Sequence, residues 1–321
     1  MVGCSTPRGN EVETTPTHTQ RSSTLTATQV VDVVGTTESL TTDVIPISTT
    51  PFQTPTYLPT LSAGEAWQAV FDLLQNNNGC QFPCIWGLLP GENNSQEAAI
   101  FLGSFGSISE LHIFDTGGGT TFEISQNDLM IIVRLDYYHE NGIVSKLEVH
   151  AMGLRQVGDN TEGAGVFSDS SINPLLRNYT PSKILSDFGQ PSKILIGGFY
   201  DDRGPLSSAD WVLSTVMDYS DSGFILEYLN FGTGLNESFI GCPFNAWSFT
   251  LWSWPVEKQL SLEEAVSIGV AGGSGGINKL NFGWFRPIEE ATTMATDEFY
   301  QTFKDAQNTA CFETPVELWE P

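Results

Sequence analysis

The sequence predicts an α+β fold: two related helix-then-antiparallel-hairpin units, followed by a Trp-rich strand and helix block at the C-terminus. Three observations predict it. Helix-capping boxes open apolar runs of helical spacing at Ser62/Glu65, Asn94/Glu97 and Ser261/Glu264. Along Ile131-Ile-Val-Arg-Leu-Asp-Tyr137, Ile131, Val133, Leu135 and Tyr137 recur with period two, as on a strand with one buried face. The helix end Phe105-Gly106 and the helix end Phe188-Gly189 are each followed by an apolar hairpin. Gly106 precedes Tyr137 by 31 residues and Gly189 precedes Tyr219 by 30, which implies two copies of one unit.

Taken in order, residues 1–60 read as a short N-terminal segment around Cys4 and a disordered tether. From Ser5 to Thr60, 28 of 56 residues are Ser, Thr or Pro, leaving too little apolar surface to offset the entropy of ordering. Residues 61–171 hold the first unit. Its opening helix carries Ala66, Val70, Leu73 and Leu74 on one face and stops at Asn76-Asn-Asn-Gly79. The stretch Cys80-Gln-Phe-Pro-Cys-Ile-Trp-Gly-Leu-Leu-Pro-Gly91 then reads as a closed turn anchored on the core by Trp86. A second helix bears Ala98, Ala99, Phe101 and Leu102. In the hairpin that follows, Arg134 and Asp136 point away from the apolar face, so the sheet is expected to be one-sided with its helices on the apolar side. Gln156 to Ser171 reads as a surface loop.

Residues 172–240 hold the second unit, with Thr180-Pro181 opening its helix and Thr215–Tyr219, a turn ending at Gly223, and Phe224-Ile225 as its hairpin. Residues 241–321 form a Trp-rich block packed on the preceding units. Its strand, Trp247–Trp254, places Trp247, Phe249 and Leu251 on one face and Trp252 and Trp254 on the other. Gly272–Gly276 reads as a flexible loop. After Pro287 a last helix runs through Ala295, Phe299, Phe303, Ala306 and Ala310.

Charge and cysteines bound the function. A net charge of −25 repels phosphate backbones and anionic headgroups, which excludes nucleic acid as a partner and leaves a lipid on the N-terminus as the expected membrane contact. Met1-Val-Gly-Cys4-Ser5, followed by the polar tether, matches the end of a bacterial lipoprotein signal with Cys4 as the lipidated residue. The remaining cysteines, Cys80, Cys84, Cys242 and Cys311, are even in number, so export implies two disulfides. Of three connectivities, Cys80 to Cys84 and Cys242 to Cys311 is favoured, stabilising by about 2 and about 4 kcal/mol from the loops closed. A four-thiol zinc site is disfavoured because Cys242 and Cys311 stand alone, without C-x2-C knuckles.

No catalytic residue, cofactor or metal ligand is expected. Gly272-Gly-Ser-Gly-Gly276 fits a nucleophile elbow by letter, but His18, His112, His139 and His150 all precede Ser274. His139 and His150 flank one hairpin, where solvent-facing positions are expected. The pairs Asp201-Asp202, Glu263-Glu264 and Glu289-Glu290 diverge on either a strand or a helix and form no dyad. Trp252, Trp254, Trp284 and Phe285 are the ligand-binding candidates, as a stacking platform for a glycan or protein side chains; the competing and favoured reading makes this face core.

The turn C-x2-P-C-x-W-G-x2-P-G at Cys80–Gly91, the capped helix after it and Phe188-Gly-Gln-Pro-Ser192 resemble a family of uncharacterised bacterial envelope lipoproteins, from about Leu61 to the C-terminus. Helices ending in Phe-Gly, then Gln190-Pro191-Ser192 and strands, are also similar to outer-membrane-assembly lipoproteins of the SmpA/OmlA type. Ser107 and Ile108 depart from that pattern in the first copy. The resemblance implies an exported, lipid-anchored component of the cell envelope on the outer face of a bacterial membrane and brings no chemistry with it; the reading taken here is a non-catalytic binding or structural role, with a glycan or an envelope protein as partner. The alternatives are an acidic glycan-acting hydrolase and an interaction module that uses an exposed edge strand.

Overall fold

The computed structural model describes residues 60–126, 128–157, 160–167, 173–201, 210–235, 238–267, 284–305 and 310–319. Cys4, the tether, the Gly272–Gly276 loop, Asp202 and Ala306 lie outside the described residues. In order, the elements are α1 (Ala63–Asn76), α2 (Ser95–Gly103), β1 (Ser109–Phe114), β2 (Gly117–Gln126), β3 (Leu129–Glu140), β4 (Ile143–Val157) and β5 (Asn160–Gly163). Then come α3 (Asn173–Leu176), α4 (Pro181–Phe188), β6 (Lys193–Asp201), β7 (Asp210–Tyr219), β8 (Phe224–Phe231), β9 (Thr233–Leu235) and β10 (Ser238–Gly241). The chain closes with β11 (Ser248–Ser253), α5 (Leu262–Ser267), β12 (Phe285–Pro287), α6 (Ile288–Ala291), α7 (Thr296–Phe303) and β13 (Phe312–Pro315). The fold is α+β.

Ten strands form one antiparallel sheet in the order β1-β2-β3-β4-β11-β8-β7-β6-β12, with β5 paired to the far end of β4. A second sheet, β13-β10-β9, has three strands. The C-terminal block therefore does not simply pack on the earlier units. Its strand β11 is inserted between β4 and β8, pairing Phe249 with Ala151 on one side and Tyr228 on the other.

Helix starts follow the capping signals. Ser62 and Glu65 close a reciprocal box at α1, Asn94 and Glu97 do so at α2, and the Thr180 hydroxyl accepts from Lys183 N–H at α4. One apolar core lies between these helices and the sheet. It takes Ala66, Val70 and Leu74 from α1, Leu102 from α2, Ile184 and Leu185 from α4, and Val133, Leu135, Val149, Leu226, Phe249 and Leu251 from the strands.

The turn after α1 is organised by one amide. Asn77 adopts the left-handed conformation (φ 49°) that ends the helix, and its buried side chain donates to the carbonyls of Cys80 and Cys84, both at 2.9 Å. The same side chain accepts from Trp86 N–H at 2.7 Å. The turn is thereby aimed so that the Trp86 indole enters the core and donates to the Tyr179 hydroxyl at 3.0 Å. Tyr179 in turn stacks on Phe249 of β11, with ring centroids 5.0 Å apart. Gly91 N–H to Val144 O and Val144 N–H to Asn93 O tie the end of the turn to β4.

Four expectations need correction. Where it is described, Gln156 to Phe167 is not a surface loop: Gln156 and Val157 continue β4, β5 folds back on it, and Val166 and Phe167 are buried, with Phe167 stacked on Phe249; Ser168 to Ser171 lie outside the described residues. The last helix stops at Phe303, Ala295 is its N-cap and Ala310 is non-helical. Trp247 lies just outside β11 and packs with Val212 and Leu229 on the sheet face opposite the core of Phe249 and Leu251. The sheet is not one-sided, because its second face buries Asp136, Lys146, Glu148, His150 and Glu227.

Both disulfides form in the favoured pairing, Cys80–Cys84 and Cys242–Cys311. The second closes a loop of 69 residues and ties the end of β10 to the start of β13. Replacing Cys242 and Cys311 together with Ser should lower stability by about 4 kcal/mol, and replacing Cys80 and Cys84 by about 2 kcal/mol. Denaturant titration of the two double variants checks this order; an equal loss from both would contradict it.

Candidate functional site

The face of the sheet opposite α1, α2 and α4 carries a belt of polar side chains that crosses strand after strand. Its rows follow from the register. Arg134 of β3 pairs with His150 of β4, His150 with Thr250 of β11, and Thr250 with Glu227 of β8. In the neighbouring row Asp136 pairs with Glu148 and Glu148 with Trp252. Side chains at alternate positions share a face, so Arg134 and Asp136, then Lys146, Glu148 and His150, line up along their strands.

Each charge in the belt has a partner. Asp136 accepts from Arg134 Nε at 2.7 Å and lies 2.7 Å from His112 Nε2, which reaches over from β1. Gly119 of β2 makes room for this pair, because a Cβ there would collide with Asp136 Oδ1 and with His112 Nε2. Lys146 Nζ lies 3.7 Å from Glu148 Oε2 and 5.0 Å from the centroid of the Tyr138 ring. His150 Nε2 lies 2.9 Å from Ser248 Oγ, and the Ser214 hydroxyl donates to Glu227.

Burial decides the electrostatics. It pushes the Glu148 carboxyl up, against the attraction of Lys146, and Asp136 adds to the rise. It pushes the Lys146 ammonium down, against the attraction of Glu148. Tyr138 is raised by burial first and then by Glu148 and Asp136. His150 is pushed down to about 4 by burial and, secondarily, by the Arg134 guanidinium.

This belt has the residue types of acid–base chemistry, held in ion pairs and hydrogen bonds. Two cavities among the described residues lie elsewhere. One, of about 150 Å³, sits beside the Cys80 turn and is lined by Asn76, Gln81, Phe82, Asn178, Lys183 and Phe188. The other, of about 230 Å³, lies between α6 and the small sheet and is lined by Ser238, Glu290, Thr292, Glu313 and Thr314. Glu290 and Glu313 are exposed, so neither has the buried setting of a general acid. Among the described residues no three His, Cys, Asp or Glu side chains converge where a metal ion could sit. None of their helices is long and apolar enough to cross a membrane.

The four aromatic candidates do not come together as a platform. Trp252 and Trp254 are 2% and 0% exposed, packed with Leu195, Val216, Ile225 and Leu262. Phe285 is half-buried against that cluster, and Trp284 beside it is 58% exposed. The stacking faces of Trp252 and Trp254 are therefore covered, and this part of the second face is core. His150 is buried, correcting the expectation that it faces solvent, while His139 is half-buried at the bulge between Tyr138 and His139.

Lys146, Glu148 and Glu227 were not singled out from the sequence. Lys146-Leu-Glu-Val-His150 alternates, and alternation marks two faces without saying that the polar one is covered. Compared with family models, curated proteins and solved structures, the chain matches none.

The His150 shift has a pH consequence. Its ordinary value is 6.5, so between that pH and about 4 the unfolded chain binds a proton that the folded chain refuses. The contribution is fully present above pH 6.5 and is lost as pH falls through about 4, by about 3 kcal/mol at most. Melting curves from about pH 7.5 to about pH 4.5 should show this decline, and His150→Gln should flatten it. An identical slope in the variant would contradict the assignment.

Proposed function

We propose that the chain is an exported cell-envelope protein, anchored to the outer face of a bacterial membrane by a lipid on Cys4, with a non-catalytic binding or structural role. The observation that carries this reading is the state of the cysteines. Cys80, Cys84, Cys242 and Cys311 are all consumed in two disulfides, a state that persists in oxidising compartments and not in a reducing cytoplasm. Cys4 is then the one cysteine of the chain outside a disulfide, in the context Val2-Gly3-Cys4-Ser5 that lipoprotein processing favours. The pairing of every charge in the belt, with Asp136, Lys146 and Glu148 buried, supports a structural rather than a chemical use of those residues.

The same reading takes the body as two copies of one unit. The run α2, β1, β2, β3, β4 and the run α4, β6, β7, β8 each set a helix before consecutive antiparallel strands, the first carrying one extra strand, β1, at its outer edge. In the sheet the order β2-β3-β4-β11-β8-β7-β6 reads outward from β11 as the last three strands of each run, taken backwards. That arrangement supports duplication with β11 as the shared centre.

Metabolic labelling with a fatty-acid probe tests the anchor. In its native host the protein should take up label and fractionate with membranes, and Cys4→Ser should remove the label and release the protein to the soluble fraction. A protein that carries no label with Cys4 intact would overturn the reading.

A further inference from the structure

The sheet ends differently at its two sides. β12 is three residues long, carries Arg286 and finishes in Pro287, which are the usual means of blunting an edge against further pairing. β1, at the other side, is a regular six-residue strand, Ser-Glu-Leu-His-Ile-Phe, paired to β2 without a bulge and containing neither Pro nor Lys. Among the described residues the helices pack on its neighbours. α2 packs on β2, β3 and β4, and Leu111 and Ile113, on the same face of β1, are 41% and 72% exposed.

We propose that β1 is a self-pairing edge, at which two copies of the chain join antiparallel about a two-fold axis through His112. The register argues for a second copy as the occupant. With His112 opposite its counterpart, Leu111 of each copy falls opposite Ile113 of the other, so the two exposed apolar side chains cover each other twice by symmetry. The charges agree. Glu110, the one carboxylate of the strand, falls opposite Phe114, and His112 is turned onto the sheet face by its 2.7 Å contact with Asp136. Although the chain carries −25 overall, the edge itself places no like carboxylates opposite one another.

Six paired residues on one strand edge are far fewer than the roughly 20–30 residues a side of a standard interface, so the dimer is weak and reversible. Repulsion between two acidic bodies is screened over about 8 Å at physiological ionic strength, so added salt strengthens the association. The inference is independent of lipid anchoring; either can fail with the other standing.

Sedimentation velocity of the full chain, at concentrations up to about 1 mM and at two salt levels, reads it directly. A concentration-dependent monomer–dimer equilibrium that tightens with salt is expected. Leu111→Glu and Ile113→Lys should each weaken it by about tenfold or more, since symmetry counts each change twice, with melting temperature unchanged at these exposed positions. The double variant Leu111→Glu with Ile113→Lys sets opposite charges across both pairs and should restore the dimer. A parent chain that stays monomeric throughout, single variants that dimerise as the parent does, or a double variant that fails to recover would each overturn the proposal.

Discussion

The structure depends on β11 holding one register against two neighbours at once. All six residues from Ser248 to Ser253 are buried, so each side chain has an assigned surroundings and none can be turned to water. Phe249 and Leu251 enter the core beneath the helices, while Trp252 faces the second cluster and Thr250 stands in the polar belt between His150 and Glu227. A slip by one residue would exchange these sets, placing the polar side chains in an apolar core and Phe249 among the charges. The helix layer responds to the same register, because Tyr179 stacks on Phe249 while receiving the Trp86 indole N–H, and Asn77 aims Trp86.

The second face explains why an acidic chain keeps charged groups out of water. A buried pair such as Lys146 and Glu148 gains little net stability over apolar packing, but stranding either member alone costs several kcal/mol. A misregistered β4 would move Lys146, Glu148 and His150 to the helix side together. Core and belt therefore penalise the same error. Asp136, held between Arg134 and His112, extends the constraint to β1, where Gly119 of β2 leaves the space that the pair fills.

Local features of this fold were legible in the sequence, and long-range ones were not. The boxes at Ser62, Asn94 and Ser261, the end of α1 at Asn77 and the alternation of β3 are set by neighbours within a few residues, and they stand where the sequence places them. The cysteine pairing also followed, because Cys80 and Cys84 stand four residues apart in a closed turn and leave Cys242 and Cys311 for each other. The insertion of β11 between β4 and β8 depends on partners about 100 and 20 residues away in the chain, which no periodicity records. Burial of the polar face was hidden for a related reason: Glu148 and His150 alternate with apolar residues as solvent-facing residues do. For the candidate site, bulk identified Trp252 and Trp254 as important, but only packing shows that their faces are covered.

If β11 unites the two halves, they should unfold as one body. Amide hydrogen exchange followed residue by residue tests this most directly. The account predicts that the amides of β11 exchange only by global unfolding, at the same free energy as those of β3, β4, β7 and β8. Exchange from β11 at a lower free energy than its neighbours, or opening of β2–β4 while β6–β8 stays protected, would contradict it.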